Sequence, residues 1–225
     1  LRTVFAIAHC CTDCREKTSD AMRELNGNIR RSILETSEKL FQKKGFSGVS
    51  MRDISKESGV GLSNIYNYFR GKDEIFRNIL APAVEAMENM LMRHHGEDGM
   101  SMLMLTDDQY CARTVTEYMT LIRRHRKTLK LLFFKAEGSS LSNYRSEFTD
   151  HSTVVVKEWM RRLREANPQL RLDFSEMFIH LQSVWLFDIF EEVLSHDLSE
   201  REAERVIQEY LRFEIEGWSK MITGA

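Results

Sequence analysis

The chain has 225 residues, enough for a sizeable core and for one or two domains. Its 2 Pro and 11 Gly fall short of the ~5% and ~7% of average usage, which argues against a β-sandwich with a turn every few residues. No apolar run approaches the ~18 residues of a membrane span, and 13 Phe, 6 Tyr and 3 Trp are too many aromatics for a disordered chain.

The net charge of −2 is unevenly spread. Asn28 to Leu80 carries ten Lys and Arg against six Asp and Glu, a balance of +4. Ala81 to Ala225 carries eighteen against twenty-four, a balance of −6, and residues 1 to 27 carry four of each. A small basic segment before a larger acidic one implies two tasks on one chain, with the basic part facing an anion. The cysteines are Cys10, Cys11, Cys14 and Cys111, three of them within five residues. That spacing is no disulfide framework, and a reducing cytoplasm is the expected location.

Residues 1 to 26 read as a tail. Leu1 to Ala21 has no helical period, and Val4 to Ala8 is too short for a signal-peptide core of ~7–15 residues. The segment is expected to be vector-encoded or translated from upstream, with Met22 a natural start. His9, Cys10, Cys11 and Cys14 offer zinc-type ligands, but zinc sites pair two ligand pairs across a loop and no second pair follows. No metal is expected.

From Asn28 the pattern is helical. Ile29, Ile33, Leu34, Leu40 and Phe41 recur at helical spacing, and Gly45 stops that helix. Ser50, with Asp53 three residues on, forms a capping box that opens a short second helix with Ile54 on its buried face. Gly59-Val60-Gly61 ends it, and a third helix is predicted over about Leu62 to Phe69. Gly71 breaks that one. Asp73 and Glu74 favour the next N-terminus, whose helix carries Ile75, Phe76, Ile79, Leu80 and Val84 and is kinked at Pro82.

Further on, Thr106 to Gln109 reads as a capping box for a helix through about Arg124. A separate helix is predicted for Lys127 to Ala136, then a loop at Gly138-Ser139-Ser140. A long helix follows over about Ser142 to Ala166, ended by Pro168. Asp173 with Glu176, and Ser199 with Glu202, read as capping boxes opening helices over about Phe174 to Ser195 and Glu200 to Met221.

Two short helices joined by a Gly-containing turn behind a longer helix make a helix-turn-helix, here about residues 50–69. Such a motif places the N-terminal residues of its second helix on base edges in the major groove. Here those residues are Gly61, Leu62, Ser63, Asn64, Tyr66 and Asn67. Small and amide side chains suit close groove approach, and Asn pairs bidentately with adenine. Tyr66, Tyr68 and Lys72 supply donors for phosphates. The plainer alternative is an αα-corner that only holds a core together.

The specific residues favour DNA. Gly45-Phe46, then Met51-Arg52-Asp53-Ile54-Ser55, then Gly59-Val60-Gly61-Leu62-Ser63-Asn64-Ile65-Tyr66-Asn67-Tyr68-Phe69, then Lys72-Asp73-Glu74-Ile75, closely resemble the DNA-binding domain of TetR-family transcriptional repressors. The resemblance covers about Gly27 to Met87 and is only architectural beyond. It implies DNA contacts at Arg52, Tyr66, Tyr68 and Lys72, and with the motif's docking the expected DNA-binding residues are Ser50, Met51, Arg52, Gly61, Leu62, Ser63, Asn64, Tyr66, Asn67, Tyr68 and Lys72. Gly61 stands where the family commonly has Ser or Thr, Ser63 where it has Gly, and Arg70 where Pro is frequent. The first two are groove-reading positions, so no operator sequence carries over.

Other candidates weigh less. Met100-Ser101-Met102-Leu103-Met104 after His94-His95 offers soft copper ligands, but Met also serves as a flexible gap-filler. Arg123, Arg124, Arg126, Lys127 and Lys130 read as a solvated face, although an anionic ligand would also suit them. His180, near Trp185 and Asp188, reads as a satisfied core or interface residue. No nucleophile–base–orienter pattern occurs, so no enzyme is expected.

The expected fold is therefore all-α. Residues 27–87 form a three-helix DNA-binding domain, and residues 88–225 form a larger helical ligand-binding and dimerisation domain. The expected function is a repressor that binds a palindromic DNA operator as a homodimer and is released by a small-molecule effector. It needs no cofactor and no membrane. The predicted dimer face comprises Phe174, Phe178, Leu181, Trp185, Ile189, Val206, Tyr210, Phe213 and Trp218 of the last two helices, a broader apolar stripe than one subunit's core needs. The alternatives are a helical interaction or assembly protein, and a DNA-binding regulator without a ligand.

Overall fold

The computed structural model describes the backbone of residues 5–95, 108–196 and 198–224, with side chains described from residue 25 onward. Among the described residues all regular structure is helical, and the chain divides into units of residues 1–79 and 80–225. The Met100 to Met104 run and the Thr106 cap lie outside the described residues, as do the side chains of His9 to Cys14.

In the first unit, helix α1 spans Phe5–Lys44, so the helical backbone continues upstream of Asn28. Ile33, Ser37 and Phe41 share one face at helical spacing and are fully buried. Gly45 ends the helix in the left-handed region, at φ 71°, and its N–H donates to the Phe41 carbonyl at 2.8 Å. Phe41, Phe46 and Phe76 then pack ring to ring, with centroids 4.9 to 5.9 Å apart.

Helix α2, Met51–Ser58, opens with the predicted box. Ser50 Oγ accepts from the Asp53 N–H at 3.2 Å, and the Ser50 N–H donates to Asp53 Oδ2 at 2.8 Å. Gly59 closes it at φ 69°. Helix α3 is shorter than the sequence predicts, only Leu62–Ile65. From Tyr66 to Tyr68 the chain tightens into turns, with the Asn67 N–H on the Asn64 carbonyl and the Tyr68 N–H on the Ile65 carbonyl. Bulky Tyr and Asn are weak helix formers, and tertiary burial of Phe69 holds the segment.

Helix α4, Lys72–His95, continues through Pro82 and carries residues of both units. In the second unit, α5 spans Asp108–Phe134, which corrects the two separate helices expected there. Nothing in Arg124-His125-Arg126 breaks a helix, and the buried stripe of Val115, Met119 and Ile122 simply continues to Leu129 and Leu132. Helix α6 is Tyr144–Ala166. Helix α7, Glu176–Ser195, is capped by Ser175, whose hydroxyl accepts from the Phe178 N–H at 3.2 Å. The Asp173–Glu176 box is therefore not formed: the serine lies two residues further on and satisfies the orphan donor instead. Helix α8, Glu200–Thr223, opens with the Ser199–Glu202 box as expected.

Candidate nucleic-acid interface

The helix-turn-helix rests on buried Ile54, Ile65 and Phe69. Its turn is tied by Ser55 Oγ, which donates to the Val60 carbonyl at 2.8 Å. Burying those three residues turns the remaining positions outward: Gly61, Ser63, Asn64, Tyr66 and Asn67 are all exposed, as is Arg52. Tyr66 keeps 51% of its surface accessible. Asn67 Nδ2 donates to Asn64 Oδ1 at 3.2 Å, which orients the Asn64 amide and leaves its N–H pair unclaimed by that bond. Leu62 and Met51 are half-buried.

Other predicted contacts have local partners. The Ser50 side chain is engaged in its cap. Tyr68 OH donates to Asn26 Oδ1 at 2.9 Å, fastening the end of the motif to α1. Lys72 Nζ donates to the Phe46 carbonyl at 2.8 Å and the Val49 carbonyl at 2.7 Å, and lies 4.1 Å from the Phe46 ring centroid. Burial lowers its pKa. Two of its three donors are thus spent on the turn between α1 and α2. Sequence reasoning did not find this tether, because its acceptors are main-chain carbonyls twenty-three and twenty-six residues away. It also missed Arg30, which donates to Asn78 Oδ1 at 2.6 Å and stacks 5.2 Å over Phe69.

In the second unit, the predicted dimer residues do not share one environment. Leu181, Trp185 and Phe213 are exposed, Phe213 by 64%, and Trp185 packs against Phe213 at 5.4 Å. Ile189 and Val206 are half-buried. Tyr210 is buried, and Trp218 packs inward against Phe174 and Phe178 with centroids 5.1 and 5.5 Å away. Tyr210, Glu214 and Trp218 lie at i, i+4 and i+8 on α8, and all line a cavity of ≈ 160 Å³. The one acidic residue on that stripe was the available signal, and sequence reasoning passed over it.

The cavity is built from α4 to α8. Trp218 Nε1 donates to Glu214 Oε2 at 2.9 Å, and the Gln182 amide, turned to satisfy both partners, donates to both Glu214 oxygens at 2.9 and 3.2 Å. Burial raises the Glu214 pKa, against the pull of the Trp218 N–H. His95, fully buried against the Trp159 ring, is pushed down to about 3 by burial and by neighbouring His94, so it is neutral at pH 7. Its Nδ1 has no hydrogen-bond partner. His94 is held between Tyr110 OH at 3.1 Å and Glu117 at 2.9 Å. Burial favours the neutral form of Glu117, but hydrogen bonds from His94 and Arg93 outweigh it and lower the pKa. His180 Nδ1 lies 3.1 Å from Thr153 Oγ1, a satisfied partner as expected. Among the described residues no group of three His, Cys, Asp or Glu is placed to hold a metal, and no helix is long and apolar enough to cross a membrane.

Fold and motif together define an all-helical protein with an N-terminal helix-turn-helix and a separate helical unit enclosing a cavity. Residues 33–79 match the family model for bacterial regulatory proteins of the tetR family. The chain is 36% identical over 64 residues to YttP of Bacillus subtilis, named a probable HTH-type transcriptional regulator, covering 28% of this chain and 31% of that protein. It is 26% identical over 70 residues to IcaR of Staphylococcus epidermidis, a negative transcriptional regulator of the biofilm operon icaADBC, covering 31% and 38%. These matches span about a third of the relatives' own length. The crystal structure of the Pseudomonas aeruginosa repressor MexZ shares the fold, with a TM-score of 0.56 at 18% identity over 86% of this chain and 94% of MexZ.

Proposed function

We propose that the protein is a transcriptional repressor that binds a palindromic operator as a homodimer and is released by a small molecule. The observation that carries this reading is the exposed row of Gly61, Ser63, Asn64, Tyr66 and Asn67 on a helix-turn-helix whose Ile54, Ile65 and Phe69 are buried. Asn64 and Asn67 read base edges, while Arg52, Tyr66, Tyr68 and the third donor of Lys72 meet the backbone. The exposed Leu181, Trp185 and Phe213 support pairing of α7 and α8 about a two-fold axis, which in turn requires a two-fold operator. The negative regulation named for IcaR supports repression. The cavity supports a ligand: one that binds the DNA-competent and released states unequally shifts the equilibrium by its differential affinity.

Selection of duplexes from a random pool by the full chain tests the proposal. Enrichment of a sequence with inverted half-sites is the expected result. No enrichment above the starting pool at low salt would leave the helical assembly protein as the better account.

A further inference from the structure

We propose that the cavity of the second unit takes a small aromatic monocation, an arylalkyl ammonium, whose charge is held at Glu214. The inference rests on the ligand-responsive reading above and names the ligand's chemistry.

Charge comes first. Among the described residues, those lining the cavity include no lysine and no arginine. Among the described residues Glu214 is the carboxylate on that lining, and it forms no ion pair there. Its hydrogen bonds come from an indole N–H and an amide, neutral groups that fix its direction without cancelling its charge. The lining histidines do not cancel it either. His95 is neutral, and His94 is already engaged by Tyr110 and Glu117. A carboxylate partly removed from water and lacking a counter-charge is an unfavourable state that a bound cation relieves. An anionic ligand meets the opposite situation, with no cation on the wall to receive it.

The walls agree. Tyr118, Trp159, Tyr210 and Trp218 line the same cavity as this carboxylate, and aromatic rings attract ammonium groups while their area takes up an apolar body. A cavity of ≈ 160 Å³ is close to the ~150 Å³ known to hold a benzene, so the body is about one aromatic ring.

The test uses three soluble probes of nearly equal size on the full-length protein at pH 7: 2-phenylethylammonium, 2-phenylethanol and phenylacetate, each titrated calorimetrically. The ammonium should bind with one site per chain, at least tenfold more tightly than the alcohol or the carboxylate. Glu214→Gln keeps an acceptor for Trp218 and removes the charge. It should weaken the ammonium at least tenfold and leave the alcohol within twofold. Equal or tighter binding of the alcohol or carboxylate overturns the proposal, as does unchanged ammonium binding by the variant or the absence of binding by any probe at millimolar concentration. Should Glu214→Gln fail to fold, the series on the unaltered protein decides alone. DNA selection on the same preparation keeps the two ideas apart. Operator binding without ammonium binding removes only the ligand class, and ammonium binding without operator binding removes only the repressor.

Discussion

Lys72 Nζ lies 2.7 Å from the Val49 carbonyl oxygen, so the first residue of α4 fastens the turn that precedes α2. With the 2.8 Å bond to the Phe46 carbonyl and the ring beneath it, the ammonium fixes where the helix-turn-helix begins relative to α1. A lysine at a helix N-terminus opposes the helix dipole. Reaching back to two carbonyls places its charge on acceptors instead.

Lys72→Ala should therefore lower stability as well as DNA affinity. Two charge-assisted bonds are lost, and the unfolding free energy should fall by about 1.5–3 kcal/mol. Because the third donor is the proposed phosphate contact, the salt slope of binding should also flatten by about 0.9 per subunit, equally on cognate and scrambled duplexes. Denaturant melts and a salt series on one variant read both. An unchanged melt would show that the tether carries no energy.

Asn64→Ala should act on sequence alone. Its exposed amide is oriented by Asn67, so its loss should remove about 1–3 kcal/mol of discrimination at one base pair in each half-site and leave the salt slope unchanged. Competition between cognate and single-substituted duplexes measures it. A change of slope without a change of base preference would mean that α3 docks differently.

The glycines separate folding from groove approach. A Cβ on Gly61 would meet nothing within 4 Å, and its φ of −55° suits any residue, so the fold does not require glycine there. Gly61→Ser should raise stability by about 0.4–1 kcal/mol while altering DNA affinity. Gly48→Ala should do the reverse, because its Cβ would sit 2.4 Å from the Lys44 carbonyl oxygen. Thermal melts of the two variants should move in opposite directions. A destabilised Gly61→Ser would contradict the geometry.

Acid should weaken the cap of α2. The Ser50 hydroxyl and backbone N–H hold the Asp53 pKa below its ordinary 3.8. A depressed folded pKa stabilises the folded state fully above the unfolded value, and that stabilisation declines as pH falls from about 3.8 through the lower folded value. Asp53→Asn should thus differ most from the parent at pH 7 and converge on it below pH 3.8. Melting curves at both pH values check the sign, and a gap that widened in acid would reverse it.

Phe213→Glu should separate the proposed dimer. Phe213 is 64% exposed beside Trp185 and Leu181, so the charge should leave the protomer folded. Light scattering should give a dimer for the parent and a monomer for the variant at micromolar concentration. A monomeric parent would sink the proposed interface.

Local chemistry was legible at most helix ends, where partners are close in sequence, although the cap of α7 fell on Ser175 and not on Asp173. Ser50 with Asp53, Ser199 with Glu202 and Gly59 each announce a helix end, because a cap is made by residues within one turn. Periodicity likewise placed Ile33, Phe41, Ile54 and Phe76 inside, and the string from Phe46 to Ile75 carried the TetR-type motif. The tertiary structure decided what depends on direction and distant partners. It turned Tyr210 and Trp218 into a cavity when an apolar stripe alone made them equal to Phe213, it merged two expected helices into α5, and it gave Lys72 acceptors in a far turn. A helix face has one sequence pattern whether it packs within a protomer, against a partner or around a ligand. Only the placement of the neighbouring helices distinguishes the three.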